Sequence, residues 1–305
     1  MKYIIGFDCG ATKSECAVAD LSGKILFREK GGPANFLVTG VEKASANIVT
    51  LIKKCSPKLK NPEIEMIVIG AAGAGRKEDA EKLRRTLSIK FKTRKIAVES
   101  LEIIGDHEIA LKAAFPKSEG CILIAGTGSI IYCKDSKGKI YRAGGFGRTI
   151  GDEGSGYSIG RKGLQAVSKY LDGRSKKTKI AELLLNQFKI DSPEKLINKV
   201  YKDNLDIAVI SKIVLQAAIE KDKIALKILN EESEELLKHL KAVKKKMKTD
   251  KFRISLTGSL LTNRNAYSNM LRKKIKTSLP SVNIAKPKHS PVEGAILIAK
   301  ELLSD

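Results

Sequence analysis

The sequence predicts an α/β protein whose two halves repeat one topology, and three observations predict it. The chain opens with three short apolar strands joined by small turns. The same order of strand, glycine turn, strand, lysine-glycine turn and strand returns at "GCILIAGTGSIIYC" and "KGKIYRAGG", as an internal repeat would. After the opening strands, apolar runs alternate with amphipathic segments, the signature of strands and helices in succession.

Taken in order, "YIIGFDCG", "ECAVAD" and "KILFREK" read as strands separated by "ATKS" and "LSGK", turns rich in small and polar residues. A helix is expected over Val41–Lys54. The run "MIVIGAAGAG" (Met66–Gly75) then reads as a buried strand ending in a glycine-rich loop. A charged helix follows near Glu78–Leu87, a short strand at "KIAVES" and a helix near Ile103–Ala114. The boundary between halves falls near Pro116, which gives an N-terminal domain over 1–116 and a C-terminal domain over 117–291. From Glu153 to Lys248 helices dominate. In the longest, Ile224, Ile228, Leu229, Leu236, Leu237, Leu240 and Val243 line one face, which reads as core with no catalytic part. Strand "FRISLTG", a helix over Asn263–Ser278, a strand at Val282–Ala285 and a helix at Val292–Leu303 complete the chain. The last helix (292–303) is expected to pack back on the first domain.

Composition narrows the class. No apolar run approaches the roughly 18 residues that a membrane-spanning helix needs, and the N-terminus is too short in apolar residues for a signal peptide, so a cytoplasmic protein without a membrane partner is expected. The five cysteines are odd in number and lack C-x-x-C pairing; reduced thiols in strands are expected, not a disulfide framework or zinc ribbon. The formal charge of +23 attracts phosphates of any kind. Its basic runs lie between apolar residues at helical spacing or in polar connectors, and aromatics do not interleave with them. They read as solvated faces in preference to a nucleic-acid footprint.

Two glycine hairpins carry the chemical signal. In "DCGATKS" (Asp8–Ser14), a carboxylate ends a buried strand and Gly10, Thr12 and Lys13 follow. Backbone N–H groups, a hydroxyl and an ammonium there suit an anionic oxygen, and Asp8 suits a hydrated Mg²⁺. "GTGS", with Gly126, Thr127 and Gly128, offers similar donors in the second half. One such turn per half fits phosphoryl transfer, which is mainly positioning and charge neutralisation. Neither turn has P-loop spacing. Asp106, in "EIIGDHEIAL", stands where a strand gives way to a helix; it reads either as an N-cap or as a base accepting a hydroxyl proton. The three histidines show no metal-like spacing. Finally, "GGFGRTIGDEGSGYSIG" (Gly144–Gly160) holds seven glycines in 17 positions, more than a capped connection requires.

Together these motifs resemble a sugar kinase of the superfamily shared with actin and hexokinase, and more narrowly the N-acetylglucosamine kinase branch of the BadF/BadG/BcrA/BcrD ATPase family. The resemblance runs nearly end to end: "DCGATKS" and "IAGTGSI" as the phosphate motifs, "GGPANFLVTG" as the early sugar loop, "GDHEIAL" around the catalytic aspartate, "GGFGRTIGDEGSGYSIGRKGL" as the most family-specific piece, and "LTGSL" as the adenosine motif. It implies two RNase H-like domains of the actin/hexokinase-type ATPase fold flanking a central cleft. The first would be the sugar and phosphate side and the second the nucleotide side. It implies ATP and Mg²⁺ as cofactors, a homodimer, and transfer of the γ-phosphate to a hydroxyl of an amino sugar, the 6-hydroxyl first. Asp106 would be the base and Asp8 the Mg²⁺ residue. Gly10, Thr12, Lys13, Gly126, Thr127 and Gly128 would face phosphates, with Gly258 and Ser259 at the nucleotide. Asn35, Gly145 and Asp152 would bind the sugar, around which the glycines would fold the backbone while the following helix presents its first N–H groups. Cys9 and Ala11 replace two glycines usual in the first phosphate turn; Phe146 replaces a tryptophan; Arg148 adds a cation that would suit an acidic sugar. A family ATPase that activates another enzyme, and a basic nucleic-acid-binding protein, are the alternatives.

Overall fold

The computed structural model describes residues 1–10, 13–59 and 62–304. The chain divides into two compact units, residues 1–118 with 286–305 and residues 119–285. In the first, β1 (Lys2–Cys9), β2 (Ser14–Asp20) and β3 (Ile25–Gly31) form an antiparallel meander. The short α1 (Phe36–Thr39) and α2 (Val41–Cys55) lead to β4 (Glu63–Ala71), and α3 (Lys77–Thr93) leads to β5 (Val98–Gly105) and α4 (Asp106–Ala114). Strands β4 and β5 add in parallel, so the sheet order is β3-β2-β1-β4-β5. Ile103 and Ile104 were expected in a helix and belong instead to β5. They pair with Ile69 and Gly70 of β4, and a parallel partner along its whole length keeps the apolar run extended.

Both faces of this sheet are covered, as its nearly unbroken apolar strands require. Ile5, Phe7, Ile67 and Ile69 join Ile48, Ile52, Leu83 and Leu87 of α2 and α3 in one core. Their neighbours on the other face, Ile4, Met66 and Val68, pack with Ile109 of α4 and with the last helix.

The second unit repeats the strand order. Strands β6 (Gly120–Ala125), β7 (Ser129–Lys134) and β8 (Ile140–Gly144) form the meander. Five helices follow: α5 (Gly156–Leu171), α6 (Lys179–Phe188), α7 (Pro193–Tyr201), α8 (Ile210–Ile219) and α9 (Lys223–Met247). Then come β9 (Phe252–Thr257), α10 (Ser259–Thr262), α11 (Ala266–Ser278) and β10 (Val282–Ala285), giving the order β10-β9-β6-β7-β8. One side chain starts two helices. Asp222 accepts from Ala225 N–H of α9 at 2.8 Å through one oxygen and from Lys179 N–H of α6 at 2.8 Å through the other, meeting orphan donors at both N-termini. Cys121 and Cys133, expected as free thiols, are register partners across β6 and β7 and are joined in a disulfide. Antiparallel pairing brings their Cα atoms to 4.0 Å. Cys9, Cys16 and Cys55 are free and buried.

The chain ends in the first unit with α12 (Pro291–Leu302), started by Pro291 and by Glu293, whose carboxylate accepts from the Ser290 N–H at 2.7 Å. It packs on β1 and α4, and Gly294 makes the approach possible: a Cβ there would lie 2.0 Å from the Ile109 carbonyl oxygen and 3.0 Å from the Ala113 Cβ. Among the described residues no helix is long and apolar enough to cross a membrane. Gly294→Ala is expected to lower unfolding stability by about 1–3 kcal/mol by forcing α12 from α4; calorimetric melting at the wild-type temperature would refute this close packing.

Candidate active site

In the first unit, register assembles the site. Cys9, Ala71 and Gly105, the last residues of β1, β4 and β5, form one row across the sheet. Asp8 therefore lies one residue short of that edge and Asp106 one residue beyond it. Asp106 is the first residue of α4 and does not cap it. The cap position is Gly105, whose N–H is bonded by Glu108 Oε1 at 3.0 Å. The Asp106 side chain is 42% exposed and its Oδ1 accepts from the His107 N–H at 2.9 Å. A carboxylate that accepts from a backbone N–H at a helix start and is still open to solvent can accept a hydrogen bond from a further donor. Burial first, then the charges of Asp106 and Glu15, push the Asp8 carboxyl up to about 6, against a smaller opposing effect of Lys13.

The turn after Asp8 is closed by Gly10, whose N–H donates to the Lys13 carbonyl at 3.1 Å. The Gly10 carbonyl accepts from the N–H groups of Ala34 and Asn35, both at 3.1 Å, so the segment of Asn35 is tied to this turn. Lys13 is exposed. Thr12 and Ala11 lie outside the described residues. Also among the described residues, no three His, Cys, Asp or Glu side chains cluster as a metal cage would. The crowding of Asp8 by other carboxylates nevertheless suits a hydrated Mg²⁺ taking a single protein carboxylate.

The second unit brings Gly126, Thr127, Gly128, Gly258 and Ser259 to the carboxyl ends of β6 and β9, where Ile124 and Thr257 are partners. Gly258 starts α10 at φ +85°, and a Cβ there would strike the Ala125 carbonyl at 2.2 Å. The Gly126–Gly128 turn is bonded to the start of α5: Gly156 N–H donates to the Gly126 carbonyl at 2.7 Å and Tyr157 N–H to that of Thr127 at 3.2 Å. Ser158 N–H goes to the N-cap hydroxyl of Ser155 at 3.1 Å. The first N–H groups of this helix, expected to face a ligand, are thus spent on the protein itself.

At Gly144 and Gly154 of this loop, and at Gly128 in the β6–β7 turn against it, the glycines make room for protein atoms, whereas a Cβ at Gly147 would meet open space. A Cβ on Gly128 would be 2.8 Å from Asp152 Oδ2, one on Gly144 2.7 Å from the His239 imidazole, and one on Gly154 2.4 Å from Leu236. Asp152 has φ +57°, and its Oδ1 accepts from the Gly147 N–H at 3.2 Å. Burial raises its pKa, opposed by hydrogen bonds from Gly147 and Ser129. Burial lowers the pKa of His239, with Glu153 acting against it; its Nε2 is 3.6 Å from Glu153. Gly145 lies against Ile130. What the loop exposes is Phe146, Arg148 and Ile150, the first 64% and the last 77% accessible.

Helix α9, expected to be core alone, supplies His239, Leu236 and the buried Glu232 to this loop. Sequence reasoning missed Glu232, and its signal was there: a charge in phase with the apolar stripe of Ile228, Leu229 and Leu236.

The Asp8 shift has a testable sign. With its folded pKa raised, the native state binds the extra proton between the unfolded value and about 6, so stability falls as pH rises through that window and the penalty is complete above it. Asp8→Asn removes the penalty. Without divalent cations it is expected to unfold up to about 3 kcal/mol less readily than wild type at pH 7.5, the difference vanishing near pH 4. Denaturant titrations at both pH values measure it; equal stabilities at pH 7.5 would refute the crowding.

Similarity to known proteins agrees with this architecture. The N-acetylmuramic acid/N-acetylglucosamine kinase of Clostridium acetobutylicum is 35% identical, with 98% of this chain and 99% of that protein covered. The N-acetyl-D-glucosamine kinase of Dictyostelium discoideum is 30% identical, with 98% of each covered. A solved Chromobacterium violaceum structure, described as a candidate N-acetylglucosamine kinase, superimposes with a TM-score of 0.79 at 22% identity, covering 98% of this chain and 99% of that one. A glucokinase of the ROK family from Streptomyces griseus does so at 0.61 and 16%, covering 98% of each chain. The fold is accordingly the two-lobed actin/hexokinase type. Residues 5–299 match the BadF/BadG/BcrA/BcrD ATPase family, and the chain belongs to that family.

Proposed function

We propose that this protein is an ATP- and Mg²⁺-dependent kinase that phosphorylates a hydroxyl, the 6-hydroxyl first, of an amino sugar of the N-acetylglucosamine or N-acetylmuramic acid class. The end-to-end likeness to two curated kinases of such sugars supports the class. The observation that carries the chemistry is the pair of carboxylates at one sheet edge, Asp106 open to solvent and Asp8 crowded by like charge.

In this reading the sugar hydroxyl lies against Asp106. As the oxygen bonds to the γ-phosphorus, its proton passes to the Asp106 carboxylate and the bond from γ-phosphorus to the bridging oxygen breaks, leaving ADP. Asp8 holds hydrated Mg²⁺, which when bound neutralises charge on the phosphates. Thr12 and Lys13 offer donors to phosphate oxygens from the first turn and Thr127 and Gly128 from the second, whereas the N–H groups of Gly10 and Gly126 are bonded within their turns, to the Lys13 and Gly128 carbonyls. Gly258 and Ser259 border the adenosine. Asn35, Gly145 and Asp152 receive sugar hydroxyls or the 2-substituent, while the exposed Phe146 ring offers an apolar face to the sugar. Arg148 has no carboxylate partner among the described residues and would meet the acid group of a muramic-type sugar. The domain roles follow: residues 1–116 with 292–303 as the sugar and phosphate side, residues 117–291 as the nucleotide side.

ATP consumption against a panel of hexoses, amino sugars and N-acetylmuramic acid tests the proposal. Sugar-dependent turnover is expected in the wild type, with kcat reduced about 10²–10⁴-fold in Asp106→Asn. Turnover independent of sugar, or an unchanged kcat in the variant, would reject it.

A further inference from the structure

Gly154 is held by both of its main-chain polar groups. Its N–H donates to Glu232 Oε2 at 2.6 Å, and its carbonyl accepts from the Tyr267 hydroxyl at 2.7 Å. That hydroxyl also lies 3.3 Å from the Glu232 carbonyl. The second carboxylate oxygen of Glu232 is 2.9 Å from Lys162 Nζ, which also reaches Glu231 at 2.8 Å. Glu232 is 1% accessible and Tyr267 fully buried. One residue earlier, the Ser129 hydroxyl donates to the Glu153 carbonyl at 2.6 Å, and the Ser155 N–H returns to the Asp152 carbonyl at 3.1 Å.

A buried carboxylate on an apolar stripe is a poor way to stabilise a helix. Its desolvation is offset only by its partners, and apolar residues of similar volume are often as good or better. What such a group can supply is fixed geometry. Asp152 and Gly154 both have positive φ, a strained course for Asp152 that persists only where surroundings enforce it. Glu232, Tyr267 and Ser129 enforce it from three elements, α9, α11 and the start of β7.

We infer that Glu232 and Tyr267 are positioning residues: through Gly154 they fix the angle at which Asp152 is presented, and so set affinity for the sugar and not for the nucleotide. This rests on the proposed role of Asp152 at the sugar. Lys162 keeps the Glu232 carboxylate turned so that one oxygen faces the loop.

Three variants test it: Glu232→Met, which keeps volume and removes the acceptor; Glu232→Gln, which can still accept from the Gly154 N–H; and Tyr267→Phe, which deletes one oxygen. The sugar KM is expected to rise at least tenfold in Glu232→Met, less in Glu232→Gln and severalfold in Tyr267→Phe. The MgATP KM should stay within twofold of wild type in all three. An unchanged sugar KM in the folded variants, or sugar and MgATP KM rising together, would overturn the inference. If Glu232→Met does not fold, Tyr267→Phe decides. A second readout does not need turnover: amide exchange at Gly154 and Ser155 should quicken at least tenfold in the variants, with β6 and β9 unaltered. A wild type without sugar-dependent turnover would defeat the kinase reading alone, whereas unaltered exchange would defeat the clamp.

Discussion

Three parallel strands that stop in step set the geometry of the candidate site. Because β1, β4 and β5 end on the row of Cys9, Ala71 and Gly105, two residues far apart in sequence meet at one edge. Strand spacing of about 4.8 Å puts the backbones carrying Asp8 and Asp106 roughly 10 Å apart with β4 between. Open α/β sheets leave a crevice beyond their carboxyl ends, and the same order in the second sheet brings Gly126 and Gly258 to the matching edge. A one-residue slip in either parallel pair would turn the acidic side chain to the opposite face. The apolar layers on both faces of the first sheet, with Ile4 on one and Ile5 on the other, hold the register against that slip.

That edge is also where folding gives ground to chemistry. Asp8 pairs in register with Glu15 and is near Asp106, and burial and like charge both disfavour its ionised form. The rest of β1 and the neighbouring β4 carry the expense, through side chains such as Ile5, Phe7 and Ile67 that are wholly buried. A site where negative charge outweighs its nearby cations, Lys13 and the Arg28 paired with Glu15, is a poor structural element and a suitable receptor for a further cation.

Much of this was legible in the sequence because the signals were local. The opening meander, its copy after residue 117 and the two glycine turns each follow from alternation and turn chemistry within a dozen residues. Asp106 could be placed because an apolar run ends one residue before it. The boundary itself was misread: Ile103 and Ile104 suit a strand or a helix equally, and only the parallel partner β4 decides. Pairings at a distance left weaker marks. Cys121 and Cys133 looked like ordinary strand thiols because their register is set by the β6–β7 turn. Glu232 looked like one more acid in "NEESEELL", since nothing in the local pattern shows that α9 faces Gly154, 78 residues earlier in the chain.

The glycine-rich loop takes its shape from the protein around it. Glycine density invites the idea that the backbone must close around a ligand, yet the missing Cβ positions at Gly144, Gly145 and Gly154 are filled by His239, Ile130 and Leu236. Small residues here let the chain press onto its own supports, two of them on one face of α9 and a third on β7. A segment braced from beneath in this way needs no ligand to take its shape, and loses little freedom on binding one. In the proposed kinase the side chains the loop turns outward, Phe146, Arg148 and Ile150, are the ones left to vary with the ligand, whereas a side chain at Gly154 would displace Leu236.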